Sequence, residues 1–283
     1  MNKFYDDYKV KTGIIDDYMH ELLASYSDCE EVLFEAMNYA VFNGGKRIRS
    51  VLCVEVARML TGSIERALPF AAAIEFIHAF SLIHDDLPCM DNADFRRGLP
   101  SCHRRYGEDI ALLAGDALLN TAFEVMAERC SSGSSGEISA MRSVGRATGV
   151  HGMINGQIRD IELMASSGAN EEMLIRLIEQ KTMALMMTSV ECGAFLSDAS
   201  DSTVEDLVKF AYNLGVAFQI RNDFEDEAED MAEAQNSPNF INTLGREEAM
   251  SKMMYYSNEA KRIIDRYPNN EFLKGLLKFL FER

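Results

Sequence analysis

Apolar residues recur along the chain at the three- and four-residue spacing of one helical face. Such stripes run through residues 32–40, 118–126 and 173–178. This spacing is typical of helices that turn one side toward a core. The stripes consist of Val32, Leu33, Ala36, Met37 and Ala40, of Leu118, Leu119, Ala122, Phe123 and Met126, and of Met173, Leu174, Leu177 and Ile178.

Short polar and glycine-rich segments separate the stripes and predict where the helices end. Asn43-Gly44-Gly45 and Gly62-Ser63 each follow an apolar stretch, and residues 131–136 read SSGSSG. These residue types favour turns. Further turns are predicted at residues 165–170, 197–203 and 237–239. The pattern predicts about ten helices and shows no fixed repeat, so we expect one all-α domain over residues 1–283.

The composition fits a large folded chain and argues against one class of partner. Hydrophobic residues make up 47% of the 283 residues, which is ample for a sizeable core. The net charge is -17, whereas nucleic-acid-binding proteins present a basic patch. Phosphate ligands stay possible, because carboxylates can hold them through bridging metal ions. We therefore expect no nucleic acid among the partners.

The cysteines and the apolar segments indicate the cellular compartment in which we expect the protein. The six cysteines include no CxxC pair, so we expect free thiols in a reducing cytoplasm. The first residues, MNKFYDDYKV, are polar and acidic, unlike a secretory signal. The most apolar window, Leu68 to Ile83, contains Glu75 and His78, and it predicts a buried core helix. We expect no transmembrane segment.

The main chemical feature is an apolar helix that runs into aspartates and then into two arginines. Residues 81–98 read SLIHDDLPCMDNADFRRG. Buried carboxylates are unfavourable unless they are neutralised or bind a metal. Their oxygens suit magnesium, which binds few carboxylates together with substrate phosphates, and guanidinium groups match phosphate oxygens. A solvated acidic helix end is the alternative, but the apolar run before it and the arginines after it favour a site.

Residues 81–98 resemble the first aspartate-rich motif, DDxxxxD, of the trans-isoprenyl diphosphate synthases of the farnesyl diphosphate synthase type. Further segments resemble other motifs of this family in the same order, from about Leu33 to the last helix. An ordered set of motifs is more specific than any one of them. The further segments are GGKRIR at 44–49, Glu75 with His78, His103 with Tyr106-Gly107-Glu108, Ala114-Gly115-Asp116-Ala117, Gly152-Met153 with Gly156-Gln157 and Asp160, Lys181-Thr182, and Gly215 to Gln219.

The resemblance implies a fold, a reaction and partners. The expected fold is a single large helical bundle of the isoprenoid synthase type with a central active-site cavity. The expected reaction is magnesium-dependent prenyl transfer, in which isopentenyl diphosphate condenses head-to-tail with an allylic diphosphate. The expected product is farnesyl or geranyl diphosphate, with geranylgeranyl diphosphate as an alternative. The family also implies a homodimer.

The resemblance further implies roles for individual residues. Magnesium would be held by Asp85, Asp86 and Asp91 on one side and by Asp223 and Asp226 on the other. The allylic diphosphate would be held by Arg96, Lys181 and Gln219, and the cation would be stabilised near Thr182 and Gln219. Isopentenyl diphosphate would be held by Gly45, Lys46, Arg49, His78 and Arg97.

Simpler interpretations of the basic residues stay open. Lys46, Arg47 and Arg49 could form a helix start that faces water, although positive charge there is unfavourable without a bound anion. His78 could be a hydrogen-bonded core histidine.

The second aspartate-rich motif departs from the family pattern DDxxD. Residues 222–226 read NDFED, so Asn222 supplies an amide where the family has a carboxylate. Gln219, Asp223 and Asp226 still share one helical face. The following residues, 227–240, are acidic at first and lack the lysine that closes the family's loop. The sequence therefore predicts reduced metal affinity or slow turnover.

The expected product length depends on Phe80. This residue stands five positions before Asp85, where the family places the floor of the pocket for the growing chain, and the small Ser81 follows it. An aromatic floor blocks elongation and predicts a farnesyl or shorter product. An ordinary core phenylalanine is the alternative.

Three functions are compatible with these motifs. The first is a working prenyltransferase. The second is a non-catalytic subunit that modulates a partner synthase, which the altered second motif would suit. The third is a terpene cyclase, which would not need the residues expected to bind isopentenyl diphosphate. The intact first motif, Lys181 and Gln219 favour the prenyltransferase.

Overall fold

The computed structural model describes residues 2–131, 133–164, 170–229 and 239–281. These residues form fourteen α-helices, one π-helical segment and one short hairpin, so the all-α class expected from the sequence is confirmed. Two of the helices, α5 and α12, have only five residues each, which is one reason that the periodicity predicted fewer helices.

The elements follow one another along the chain without a second sheet. In order they are α1 (Asn2–Ala24), α2 (Glu31–Phe42), α3 (Ile48–Thr61), α4 (Leu68–Asp85), β1 (Phe95–Arg96), β2 (Leu99–Pro100), α5 (Cys102–Tyr106), α6 (Glu108–Ser131), α7 (Ser135–Thr148), α8 (Met153–Met164), α9 (Glu171–Ile178), the π-helical segment (Glu179–Met183), α10 (Ala184–Phe195), α11 (Asp201–Glu229), α12 (Phe240–Leu244), α13 (Arg246–Ile264) and α14 (Glu271–Phe281).

Local sequence signals explain several helix ends. Helix α2 ends at Phe42, directly before the predicted Asn-Gly-Gly turn. Helix α3 ends at Thr61, and Gly62 follows in the left-handed conformation with a φ of 79°, which glycine adopts without strain. The loop predicted at residues 131–136 is shorter than expected. A capping box between Ser134 and Glu137 begins α7 inside it.

The two helices that carry the acidic motifs lie in one packed body. Helix α4 is almost entirely buried and packs against α3 and α6. Helix α10 packs against α3, α7 and α11 and also contacts α4. The π-helical segment, which leads into α10, packs against α8 and α11. The segment therefore contacts the helix of the second acidic motif, α11, directly and is linked to that of the first, α4, through α10.

Two positions of the predicted stripes are exposed. Val32 is 41% exposed and Met173 is 43% exposed. Both lie in the first turn of their helices. The apolar stripe is therefore wider than the buried face where α2 and α9 begin.

The free thiols and the buried apolar window expected from the sequence are both confirmed. All six cysteines are unpaired. The window from Leu68 to Ile83 lies in α4 within the core. Among the described residues, α6 has the length and hydropathy of a membrane span, with a mean hydropathy of 1.4 and 44% of the window buried. A core helix has the same properties, and α6 packs closely against α4.

Candidate active site

The first acidic motif lies where α4 ends and the chain turns back. Asp85 is the last residue of α4, and Asp86 caps it. The backbone N–H of Asp91 donates to the carbonyl of Asp85 at 2.9 Å. The proline-containing turn therefore brings Asp91 against the end of α4, as the sequence predicted.

Asp85 carries an unfavourable negative charge in the absence of a cation. The pKa of this carboxyl is raised to about 6, chiefly by burial. The positive charge of Lys181 opposes this rise, and the negative charge of Asp91 contributes to it. The site thus places two acidic groups close together where burial disfavours their charge.

Asp86 and Arg96 contact each other, which differs from the separate roles that the resemblance implies. The guanidinium Nε of Arg96 donates to both carboxylate oxygens of Asp86, at 3.1 and 3.2 Å, and its Nη2 also bonds one of them. Asp86 is only 2% exposed. In this arrangement Asp86 fixes Arg96 beside the acidic turn, and its metal-binding role stays a prediction.

A small hairpin positions the two arginines of the motif. Arg96 pairs with Leu99, and Arg97 and Gly98 form the two-residue turn with φ values of 55° and 78°. Positive φ at both positions matches the right-handed twist of a tight hairpin. The two guanidinium groups have different partners, since Arg96 binds Asp86 and Arg97 reaches the glycine-rich loop.

Arg97 reaches the glycine-rich loop that precedes α3. Its Nη1 donates to the carbonyl of Gly44 and, at 3.2 Å, to the side-chain oxygen of Asn43. A β-carbon on Gly45 would come within 2.9 Å of the guanidinium carbon. Gly45 also has a φ of 121°, so a side chain there would be strained as well as crowded.

Arg49 and His78 form the inner part of this basic region. Arg49 Nη1 lies 3.4 Å from His78 Nε2, and the buried Nε of Arg49 has no hydrogen-bond partner among the described residues. Desolvation, followed by the charge of Arg49, lowers the pKa of His78 well below its ordinary value, so the ring is neutral. A positive cluster with an unpaired donor is suited to bind an anion.

Lys46 lies at the outer edge of the same region. Its side chain is 59% exposed, and its Nζ is 3.8 Å from a carboxylate oxygen of Glu225 on α11. An exposed ion pair of this length contributes little stability. Lys46 is therefore positioned at the entrance, between the glycine-rich loop and the second acidic motif.

Lys181 and Thr182 lie in the π-helical segment, a form of helix that is frequent at functional sites. A β-carbon on Gly156 of α8 would collide with the backbone of Gln180 and Lys181. The glycine therefore allows α8 to approach the segment closely. Lys181 Nζ forms an ion pair with Asp160, also on α8.

The second acidic motif is tied to the start of α12. Asp223 is 7% exposed, and one of its oxygens accepts a hydrogen bond from the backbone N–H of Phe240 at 2.8 Å. Gln219 donates to the other oxygen at 3.3 Å. Burial raises the pKa of Asp223 to about 6, which these hydrogen bonds partly oppose, and Asp226 adds a smaller upward effect.

Two neighbouring cavities bring these groups together. The first encloses about 500 Å³ and has Arg49, His78, Asp85 and Lys181 among its lining residues. The second encloses about 160 Å³ and is lined in part by Lys181, Gln219 and Asp223. Lys181 and Thr182 line both. The shared wall places the two acidic motifs on either side of one lysine.

The larger cavity also contains the residues expected to set product length. Phe80, Ser81, Met153 and Ile158 are part of its lining, which is mostly apolar beyond Asp85. The Phe80 ring makes an edge-to-face contact with His84, with ring centroids 4.8 Å apart. An apolar cavity with a few charged groups in its lining matches an amphiphilic ligand with a charged head.

His84 and Asp160 are two residues of the site to which the sequence gave no role. His84 Nε2 lies 3.1 Å from the carbonyl of Leu112, and a β-carbon on Gly115 would collide with the ring. The ring is thereby held against Phe80, and both residues line the larger cavity. Both residues lie next to or within recognised motifs, which was the available signal, but spacing does not show their contacts.

The carboxylates of the first acidic motif are suitable ligands for magnesium. Asp85 and Asp91 offer hard oxygen ligands, and a bound cation would offset the burial that raises the pKa of Asp85. Among the described residues no group of three or more His, Cys, Asp or Glu side chains could hold a metal ion by itself. Magnesium would therefore need further ligands from substrate phosphates.

The loop that follows the second acidic motif lies mostly outside the described residues. Residues 230–238, which contain most of the predicted shortened loop, lie outside the described residues. The predicted consequences of that loop and of Asn222 stay predictions.

We expect that Asp85→Asn stabilises the metal-free protein at high pH. The pKa of this carboxyl is about 6 in the folded state against 3.8 in the reference state, so the folded protein binds the proton more tightly. The stability that this proton provides is present below 3.8 and is lost as the pH rises through about 6. The substitution should raise the free energy of unfolding by about 1–2 kcal/mol at about pH 8, and by less at about pH 5. Urea denaturation with a metal chelator would measure this, and an equal gain at both pH values would contradict it.

Comparison with known families gives one match over most of the chain. The family model described as polyprenyl synthetase matches residues 30–238.

Two plant proteins illustrate the curated relatives. The chain is 40% identical over 228 residues to the "Heterodimeric geranylgeranyl pyrophosphate synthase large subunit 1, chloroplastic" of Arabidopsis thaliana, a match that covers 79% of this chain and 60% of that protein. It is 38% identical over 225 residues to the "Geranylgeranyl pyrophosphate synthase, chloroplastic" of Capsicum annuum, which covers 79% and 59%. The chain thus spans about three fifths of the length of these relatives.

Solved structures match over nearly their full length. An FPP/GFPP synthase from Zymomonas mobilis superposes with a TM-score of 0.88 at 30% identity, covering 97% of this chain and 99% of that one. A geranyltransferase from Legionella pneumophila superposes with a TM-score of 0.91 at 28% identity, covering 100% and 98%.

Proposed function

The chain belongs to the polyprenyl synthetase family, and on that premise we propose that it condenses isopentenyl diphosphate with an allylic diphosphate. The observation that carries this proposal is the larger cavity. Its lining is mostly apolar, yet it also includes Asp85, Lys181, Arg49 and His78. An apolar chain with a diphosphate head matches that distribution.

The side chains divide into a group for each diphosphate. Lys181 lies beside Asp85 and is suited to the allylic diphosphate, whose departure leaves an allylic cation. Arg49, Arg97 and the neutral ring of His78 are suited to the diphosphate of the second substrate. The double bond of isopentenyl diphosphate forms the new carbon–carbon bond to the cation, and a proton is then lost. This chemistry requires no nucleophilic side chain.

Magnesium, if bound by Asp85 and Asp91 with diphosphate oxygens, would supply positive charge to balance the leaving group. The residues of the chain hold the other positive charges of the site in place. Asp86 holds Arg96 in place, and Asp160 holds Lys181, so that both cations keep fixed positions before substrate arrives. Such preorganised charges stabilise developing negative charge without reorganisation.

The direct test is an incubation of the purified protein with isopentenyl diphosphate, magnesium and either dimethylallyl or geranyl diphosphate. After dephosphorylation, the prenyl alcohols identify the product. Product formation that depends on isopentenyl diphosphate would support the proposal. No product with either primer would favour a non-catalytic subunit, and consumption of the allylic substrate alone would favour a cyclase.

We propose farnesyl diphosphate as the product, because Phe80 lines the cavity and its ring packs edge-to-face against His84. Geranylgeranyl diphosphate is the second candidate. It is favoured by the names of the plant relatives, which are called geranylgeranyl pyrophosphate synthases.

The substitution Phe80→Ala tests this product length. Removing the ring enlarges the apolar cavity, and we expect products longer than those of the parent by one or more five-carbon units. Chromatography of the dephosphorylated products would measure the shift. Phe80→Tyr, which retains the ring, is the matched control and should leave the length unchanged. A parent-like product from Phe80→Ala would show that Phe80 does not limit elongation.

We also propose that the protein forms a homodimer. Large apolar side chains are exposed in the single chain, among them Leu113 (55%) on α6 and Ile138 (57%) on the neighbouring α7. Exposed apolar residues of this kind can favour association. Light scattering should give twice the mass of the 31.8 kDa chain, and a monomer at micromolar concentration would contradict this.

A further inference from the structure

Helix α1 contacts the loop that carries the proposed isopentenyl diphosphate residues. The hydroxyl of Tyr8 donates to the backbone carbonyl of Lys46. Asp16 accepts a hydrogen bond from the Nε of Arg47 at 2.8 Å. Both partners of α1 belong to the segment Gly44–Arg49. Helix α1 precedes residue 30, where the family match begins, so the motifs gave no indication of this contact.

Arg47 is not available to substrate, although it lies between two residues that are. It is 8% exposed and adopts the left-handed conformation with a φ of 50°. Its Nη2 donates to the carbonyl of Val41 at 2.7 Å, and its Nη1 lies 3.6 Å from Glu75. The side chain is thus directed under the loop, and its contacts maintain a backbone conformation that arginine rarely adopts.

Glu75 continues this network into the core. It is 3% exposed, and its Oε1 accepts from the backbone N–H of Ser50 at 3.2 Å and from the Ser50 hydroxyl at 2.8 Å. The ionic contacts of Arg47 therefore fix the loop between α1 on one side and the first turn of α3 and α4 on the other. A buried network of this kind is rigid when its members are satisfied.

The position of Arg47 determines the directions of its neighbours. Lys46 precedes it and Arg49 lies in the first turn of α3, so a change in the backbone at residue 47 moves both cations. Tyr8 restrains the same backbone one peptide earlier. The allylic side of the cavity, at Asp85 and Lys181, makes no use of these contacts.

We propose that α1 is a positioning element for isopentenyl diphosphate and acts through Tyr8 and Asp16 on the loop of Gly44–Arg49. The proposal rests on the proposed function. It assigns no contact with substrate to Tyr8 or Asp16. Their effect is exerted through the backbone of Lys46 and the side chain of Arg47.

The fold should tolerate a test of this proposal. Helix α1 is also held by the buried side chains of Ile15, Met19 and Leu23 and by an ion pair of 2.9 Å between Lys11 and the buried Glu55. Asp16→Asn removes one charge and none of these contacts. Asp17→Asn makes the same change at the adjacent position, which is exposed to solvent, and is the matched control.

Steady-state kinetics with each substrate varied in turn distinguishes positioning from general destabilisation. We expect Asp16→Asn and Tyr8→Phe to raise the KM for isopentenyl diphosphate about ten-fold, as a small misplacement of binding groups does, with the KM for the allylic diphosphate unchanged. Asp17→Asn should match the parent in both. Asp16→Glu, which keeps the carboxylate, should recover part of the loss.

The outcomes separate this inference from the proposed function. If the parent is active and Asp16→Asn behaves like Asp17→Asn, the inference is wrong and the proposed function stands. An equal rise in both KM values would also overturn it, since that indicates a general loss of structure. A parent that neither binds nor consumes isopentenyl diphosphate would overturn the proposed function and this inference with it.

Discussion

Asp85→Asn should lower kcat/KM for the allylic diphosphate about 10³-fold, the loss found when a preorganised charge is removed from an active site. Asp85 is the carboxyl at the end of α4 that lines the larger cavity together with Lys181. An amide of the same size leaves the cavity intact but removes the negative charge that would attract magnesium. The defect should therefore be smaller at high magnesium concentration than at low concentration.

A nearby aspartate provides the control for this variant. Asp94 is exposed and forms an ion pair of 2.5 Å with Arg104. Asp94→Asn changes the net charge by the same amount in the same segment, and its kinetics should resemble those of the parent. Asp85→Asn should also be the more stable protein without metal near pH 8, so its loss of activity cannot be attributed to unfolding. Parent-like turnover of Asp85→Asn would remove the first acidic motif from the mechanism.

Lys181→Ala should lower kcat/KM about 10²-fold and should also change the pH dependence. Lys181 lines both cavities, and its positive charge lowers the pKa of Asp85, which burial raises to about 6. Without the lysine the pKa of Asp85 rises further. Because the ionised carboxylate is the form that binds a cation, the acid limb of the pH–rate profile should move to higher pH.

The pH profile separates this role of Lys181 from simple damage to the structure. Lys209→Ala, at an exposed position of α11, is the control and should change neither the rate nor the profile. A lower rate with an unmoved acid limb would show that Lys181 does not act on Asp85. Loss of the ion pair with Asp160 is a separate consequence, and Asp160→Asn would measure it.

The sequence alone predicted the parts of this protein that depend on neighbouring residues. The apolar spacing of α4 and the proline after Asp86 predicted that the helix ends at the aspartates, and it ends at Asp85. The turn signals at Asn43-Gly44 and Gly62 were located correctly as well. The ordered motifs predicted the all-α class and the family. Such signals are local, because caps, turns and helical periodicity act over a few residues.

The hairpin between the aspartates and α5 could not be predicted from the sequence. Its turn consists of Arg97 and Gly98, both with positive φ. Such a turn is predicted by asparagine or glycine at its first position, and arginine at that position does not predict it. The separation of Arg96 toward Asp86 from Arg97 toward Gly44 follows from that geometry and could not be inferred from two adjacent arginines.

Tertiary structure alone decided which charges meet. The resemblance placed Asp86 with a metal, and the structure adds that its carboxylate holds Arg96, while Asp223 accepts the N–H of Phe240, 17 residues later in the chain. Arg47 belonged to a basic segment that could have faced water, and it is instead buried and bound to Asp16 of α1. A sequence pattern records which groups are charged. Their partners depend on how helices distant in the chain pack. Burial determines which charges must be neutralised and which side chains neutralise them.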